Sequence, residues 1–470
     1  MSINSFDFIL AFLPLTLILY QLLIRKGHNQ GTKIWLILAS LVFYGFAGLP
    51  SLVVLAFSVL VNYGLAVRAF PTGLPRSRAS KAWLALGIAA NVGLLAYLKY
   101  FNFILTSLDG MEILRFHPPE TIVVLGISFI SFQQISFLID AYRGEIEAYR
   151  LLDYLLYITF FPKIVSGPIT RYGDLVPQLQ HLKGLNYENL SKGIYVFGLG
   201  LFKKVVIADT LAKLANAGFD TSSQLSLLEG WITSLSYTGQ IYFDFSGYTD
   251  MAIGVALMLN LVLPFNFNSP YKATSIRDFW SRWHITLTKF LTDYIYIPLG
   301  GSRRGELKTM RNIMITFIVS GFWHGASWTF VFWGFLHGLA SVALRLWNKT
   351  GLIMPRWLAW FFTFNFINVT WVFFRADTFA DAMRVLQAMF FPATLAGLPA
   401  FSSFSEANLL LSLITAAVSI VILFARSNSN RFTRDLTPLN RRVYLVAALL
   451  IISVLFLNSS APKEFIYNDF

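Results

Sequence analysis

The sequence predicts an all-α, polytopic membrane protein, and three observations carry that prediction. Of 470 residues, 56% are hydrophobic and only 13% charged, whereas an ordinary soluble domain approaches a quarter charged. Mean hydropathy is +0.60. The apolar residues fall into runs suited to helices, which satisfy their own backbone in lipid, and not into the short alternating segments of an outer-membrane barrel. The net charge of +13 comes from Lys and Arg clustered between these runs. That is the pattern of cytoplasmic loops, so the expected partner is the lipid bilayer and not nucleic acid. With no cysteine in the chain, disulfides, thiolate metal sites and a Cys nucleophile are excluded.

In chain order, run 8–24 lacks a basic leader and a small-residue cleavage site, so it reads as a retained first span. Arg25, Lys26 and Lys33 then mark an inner loop. Runs 34–47 and 52–67 lead to a second inner loop, 68–81, with Arg68, Arg76, Arg78 and Lys81. Run 83–105 reaches an outer loop, 107–119, with Asp109, Glu112, Arg115 and His117, and run 121–139 returns to Arg143 and Arg150. The stretch from 151 is too short and too broken by Pro162, Gly167 and Pro168 to cross, which predicts a re-entrant or interfacial helix buried against protein. Run 194–215 carries Lys203 and Lys204 in its middle, explained by snorkelling or by tilt.

Run 231–263 places Asp244 and Asp250, beside Ser246 and Tyr248, inside an apolar helix. An aspartate at helix centre costs ~2.5–3.5 kcal/mol on insertion scales, so both must face a polar interior or pair with a cation. Segment 264–278 reads as a loop in which Ser275 caps the next helix. That helix, 276–297, carries Arg277, Arg282, His284, Lys289 and Asp293 and is too polar to face lipid, so it reads as re-entrant. Runs 312–332, 329–346 and 357–374 follow. Phe379, Met383, Leu386, Met389 and Phe390 form one apolar stripe of an outer interfacial helix near 378–391. Runs 408–425 and 443–457 flank a basic loop holding Arg426, Arg431, Arg434, Arg441 and Arg442. The alternating clusters suit about twelve spans with both termini outside, in a single membrane domain over 1–470 without repeats.

The chemistry points to histidine. His324 lies about 13 residues, or roughly 20 Å, past Arg311 at the helical rise, within a hydrocarbon layer ~30 Å thick. An intramembrane ionisable group is a functional candidate by default. Imidazole titrates near neutrality, so it can take a proton from a hydroxyl and return it to a leaving group. His324 sits in GFWHGASW, where Gly321, Gly325 and Ala326 permit close approach and Trp323 and Trp328 supply walls. His284 is the second candidate. His337 reads as a packed core histidine, and His28, His117 and His181 as loop residues. No tight metal-ligand spacing and no G-x-S-x-G motif is present, so neither a metal nor a serine triad is expected. Arg303 and Arg304, in GGSRRG, suit a diphosphate or an ordinary inner turn.

Five segments in order, FPKIVSGPITR (161–171), FDFSGYTDMAIG (243–254), FWSRWHITL (279–287), YIYIPLGGSR (294–303) and FWHGASW (322–328), resemble the membrane-bound O-acyltransferase (MBOAT) superfamily over nearly the whole chain. Within it they are similar to the bacterial branch of alginate O-acetylation and teichoic-acid D-alanylation membrane proteins. The resemblance implies a ring of tilted helices around a central tunnel; in a bacterial inner membrane, the charge alternation puts both termini on the periplasmic side. The resemblance places the family histidine at His324 and the second polar position at His284. Asp244, Ser246, Tyr248, Asp250, Arg282 and Trp323 would line or brace the tunnel, with Arg282 pairing one carboxylate, and Arg303 and Arg304 would stand at donor entry.

The implied reaction takes an acetyl group from a cytoplasmic thioester, acetyl-CoA, with no permanently bound cofactor. It delivers that group to an extracytoplasmic polysaccharide such as alginate through a periplasmic or membrane-anchored SGNH-type partner. Transfer of D-alanine, acylation of peptidoglycan and, in another class, a channel or exporter are the alternatives. Where related polysaccharide-modifying members often end in a FIYFQF-like tail, this chain ends FIYNDF.

Overall fold

The computed structural model describes residues 1–73, 77–110, 124–221, 224–391, 406–424, 428–430, 442–459 and 465, and their regular elements are helices. Outside them lie Arg76, the expected outer loop around Glu112, Arg115 and His117, the basic residues Arg426, Arg431, Arg434 and Arg441, and tail residues 466–470. The chain divides into two compact units. The first is Met1–Phe197, Thr249–Pro264 and Leu436–Tyr444; the second is Gly198–Tyr248, Phe265–Asp435 and Leu445–Phe470.

The first unit begins with a π-helical turn, Asp7–Phe12, leading into α1 (Leu13–Arg25), then α2 (Asn29–Gly45), α3 (Leu49–Ala69) and α4 (Arg78–Leu95). A π segment, Ala96–Tyr100, joins α4 to α5 (Phe101–Gly110). Then come α6 (Ile127–Arg143), α7 (Leu151–Thr159), α8 (Tyr172–Gln180) and the start of α9 (Tyr187–Phe202). Asn62 and Asn91 bond each other between α3 and α4. This exchange satisfies amides that would be costly if left bare in an apolar layer.

The broken motif after α7 behaves as its composition requires. With 9 residues α7 is too short to cross, and residues 160–170 are all buried. Their irregular backbone is satisfied internally: the Phe161 amide donates to Ser40 Oγ at 3.1 Å, and Tyr157 Oη donates to the Thr170 carbonyl at 2.9 Å. Gly126, at φ +69°, lies so close to this loop that a Cβ would meet the Ile164 carbonyl oxygen at 2.8 Å, so glycine alone fits. Lys163, fully buried, donates to Gln133 and lies over the Tyr157 ring. One correction concerns Lys33. It stands within α2, buried, with its ammonium 2.5 Å from Asp153; it is an ion-pair residue and not a loop marker.

The second unit takes the end of α9, a π segment Lys203–Ala208, α10 (Asp209–Phe219) and most of α11 (Leu227–Met258). There follow α12 (Ile276–Trp280), α13 (Ile285–Leu291), a π turn Thr292–Tyr296, α14 (Glu306–His324), α15 (Trp328–Trp347) and α16 (Arg356–Arg375). The last are α17 (Phe379–Phe390), α18 (Glu406–Phe424) and, from Leu445 onward, α19 (Arg442–Ser459). Among the described residues, five stretches are long and apolar enough to cross a membrane: Asp7–Arg25, Leu49–Ala69, Arg78–Asp109, Trp328–Trp347 and Arg356–Arg375. Asn408–Phe424 and Tyr444–Asn458 are shorter apolar helices. The chain is a multi-pass helical membrane protein.

The helix expected at the outer interface is α17, and three of its five stripe residues are exposed. Ala382, Val385, Ala388 and Met389 are buried, while Phe379, Met383 and Phe390 are exposed. Arg384 anchors it by donating to the carbonyls of Gly218 and Phe219 at 2.9 and 2.8 Å. The buried face is built mostly of small residues, and of the stripe Met389 alone is among those buried.

Candidate active site

One position on α11 shows how a buried carboxylate is tolerated there. Asp244 is buried, and its carboxylate lies 2.6 Å from the Lys204 ammonium, which also meets Asp209 at 3.0 Å. Lys204 neither snorkels nor faces water; it is itself buried between two acids. The π segment at Lys203–Ala208 and the close approach of α9 to α11 bring it there. A Cβ on Gly247 would lie 2.7 Å from the Gly200 carbonyl oxygen. Lys203 reaches Ser429 at 2.5 Å. Asp250, also buried, is in the first unit. Arg282 pairs with neither: its Nε donates to Asp278 at 2.7 Å, four residues back along the chain. The expectation that Arg282 neutralises a carboxylate of α11 is thereby corrected, because an acid one turn away is nearer at hand.

The predicted helix 276–297 is also corrected. It breaks at His284, whose backbone is left-handed, φ +42° and ψ +53°. A non-glycine residue held there carries strain of about 1–3 kcal/mol, a condition common at functional sites. Ser275 caps α12 as expected, accepting from the Asp278 amide at 3.1 Å. Asn266 caps the restart: its carbonyl accepts from the Ile285 amide at 3.0 Å, and its Oδ1 accepts from Thr286 Oγ1 at 2.7 Å. The break aims His284, fully buried, at Phe245 of α11, with ring centroids 4.7 Å apart.

His324 ends α14, which runs unbroken from Glu306. It is 2% exposed and ringed by Trp323, Trp333 and Phe374, at 4.9, 5.1 and 5.2 Å. The His284 and His324 centroids are 6.4 Å apart, with Trp323 6.1 Å from His284. Two imidazole nitrogens, each about 2.8 Å from one shared oxygen, fit rings at that separation.

The α14–α15 hairpin positions His324 through glycine. A Cβ on Gly321 would meet the Phe330 carbonyl oxygen at 2.3 Å, and one on Gly334 the Phe317 oxygen at 2.4 Å. This is small-residue packing of apolar helices. Gly334→Val should therefore destabilise the protein by about 1–3 kcal/mol through overpacking. A thermal-unfolding comparison in detergent checks it, with surface Leu339→Val as the neutral reference.

His337 has a different role. Trp280 Nε1 donates to its Nδ1 at 3.2 Å and its Nε2 pairs with Thr370 Oγ1 at 3.1 Å, so both nitrogens are occupied by packing partners. Of the other predicted residues, Trp323 and Ser246 are buried, and Tyr248 stacks near Phe465 at 4.8 Å. Arg303 and Arg304 are exposed in the turn before α14. Asp209, Asn266 and Phe374 were not singled out from sequence, and Lys204 only as a mid-run lysine explained by snorkelling or tilt, not as the partner of Asp244. For Lys204 a signal existed, since a buried acid requires a cation, but nothing local says which one.

The model of the MBOAT, membrane-bound O-acyltransferase family matches residues 35–379. The chain is 40% identical to the "Peptidoglycan O-acetyltransferase" of Helicobacter pylori, over 99% of this chain and 97% of that one. It is also 40% identical to "Probable alginate O-acetylase AlgI" of Azotobacter vinelandii, over 83% and 78%. The chain belongs to the membrane-bound O-acyltransferase family. This acyltransferase is also similar to the "Teichoic acid D-alanyltransferase" of Bacillus subtilis, 29% identical over 56% of this chain and 71% of that one. The two ends of its catalytic candidate set, His284 and His324, both lie inside the family match.

Proposed function

We propose that this O-acyltransferase takes an acetyl group from acetyl-CoA on the cytoplasmic side of a bacterial inner membrane and passes it to a hydroxyl reached from outside. The single observation that carries the reading is the pair of buried imidazoles 6.4 Å apart, one on a strained backbone and one at a helix end. His324 takes the proton of the acceptor hydroxyl as its oxygen attacks the thioester carbonyl, and returns it to the departing thiolate. His284 orients the hydroxyl or donates to the developing oxyanion. Arg303 and Arg304 attract the donor phosphates. Lys204 and Asp244 brace α11 behind Phe245, with Ser246 and Tyr248 along the acceptor's approach and Asp250 bracing the same helix further on. About twelve spans around a tunnel, with both termini periplasmic, complete the arrangement.

The final acceptor is an extracytoplasmic polysaccharide, reached through an SGNH-type partner that docks on the exposed apolar side of α17. Similarity along almost all of both chains favours a peptidoglycan acceptor over alginate, and the same chemistry would serve a D-alanyl donor.

Purified protein with labelled acetyl-CoA, and muropeptide mass analysis of a deletion strain, test the reading together. Consumption of the thioester and loss of O-acetyl muropeptides are expected. An untouched thioester would instead indicate a channel or exporter. Deleting 379–390 should end polysaccharide acetylation while donor hydrolysis persists; loss of both would remove α17 from partner docking.

A further inference from the structure

At the end of the second unit where α15 stops at Trp347 and α16 starts at Arg356, two cavities of about 710 and 690 Å³ open side by side. Both are lined by Thr274 and Arg356, which therefore form the ridge between them. The first cavity is walled by Lys272, Trp357, Trp360 and Phe424. Its aromatic wall is built, not incidental: Trp360 Nε1 donates to the Tyr271 carbonyl at 3.0 Å, and its ring meets Phe424 edge-on at 5.6 Å. The second cavity runs between α15 and α16, past Leu344, Phe362 and Phe366.

Position and charge together define an occupant. Both α15 and α16 are long and apolar enough to span, so their adjoining ends lie at a membrane–water interface, where Trp is enriched and anionic headgroups meet cations. Trp357 is 69% exposed and Ile353 94%, side chains that would be costly beside water and suit acyl chains. Arg356 makes no ion pair or hydrogen bond with any described residue. Among the described residues, Glu306 is engaged by Arg345 and Lys349, and Asp278 by Arg282. Burial, and then the Arg282 guanidinium, lower the proton affinity of Lys272, so an anion there would be welcome.

We propose that this two-lobed trough is a binding site for one anionic glycerophospholipid. Its phosphate lies between Lys272 and Arg356, and its acyl chains lie along the Trp357–Trp360 wall and the α15–α16 cleft. The site requires none of the chemistry assigned to His324. An apolar groove alone would accept any lipid; the two cations in its mouth select the headgroup.

Native mass spectrometry of the full-length protein in detergent, titrated with phosphatidylglycerol and separately with phosphatidylcholine, tests this. One phosphatidylglycerol should bind in preference. Lys272→Gln with Arg356→Gln should weaken it roughly 30-fold, the loss expected for two interfacial cations, while phosphatidylcholine binding stays unchanged. Trp357→Ala, at an exposed position, should weaken both lipids and serves if the double variant does not fold. Equal affinity for the two lipids, or phosphatidylglycerol binding unchanged in the double variant or in Trp357→Ala, would overturn the proposal. So would displacement of the lipid by inorganic phosphate or by coenzyme A, which would make the trough a site for soluble phosphates.

Discussion

His324→Ala is expected to lower acetyl transfer by about 10²–10⁴-fold, the range that general acid–base catalysis contributes, with little loss of fold. The small effect on folding follows from the surroundings. The ring is held by aromatic edges from Trp323, Trp333 and Phe374, and the close backbone contacts that fix the hairpin belong to Gly321 and Gly334. Alanine removes the base and leaves those contacts in place. Thiol release from acetyl-CoA by wild type and variant, with a matched unfolding profile, is the measurement. His284→Ala should cost less if His284 only orients, and the combined variant should fall no further than His324→Ala, because the two act on one oxygen. Turnover within a few-fold of wild type in His324→Ala would remove that residue from the mechanism.

How much of this was legible in the sequence depends on the range of the forces involved. Helix class, the non-crossing α7 segment, the cap at Ser275 and the pair His284/His324 all follow from local composition, spacing and motif. His284's left-handed backbone does not, because it depends on Asn266 of a preceding loop pinning Ile285 and Thr286 from outside the helix. The partners of buried charges were equally hidden. Lys33 finds Asp153 across 120 residues and Lys204 finds Asp244 across 40, whereas Arg282 takes the acid four residues away. A sequence shows that a buried charge needs a partner; only the fold supplies its identity. For α17, periodicity identifies the apolar stripe, of which Phe379, Met383 and Phe390 face outward, without telling that Ala382, Val385, Ala388 and Met389 will be the residues buried.

Lys204→Met is expected to destabilise the protein by about 3–5 kcal/mol, the cost of leaving a buried acid without its cation. Asp244 is buried, and the ammonium 2.6 Å away is what makes its charge tolerable in an apolar helix. Asp209 is less at risk, because its side chain keeps 19% exposure. Adding Asp244→Asn to Lys204→Met removes the orphaned charge, so the double variant should regain more than half of the lost stability. Simple loss of packing by the lysine stem would not predict that recovery. Turnover should track stability: Phe245 follows Asp244 on α11 and carries the His284 ring at 4.7 Å, so a shift of this helix displaces the second imidazole. Thermal unfolding and acetyl transfer, measured on wild type, both single variants and the double, form a cycle whose coupling term isolates the pair. Additive losses would mean that the ion pair does not hold α11 in register, and the brace assigned to it would have to be sought elsewhere along the helix.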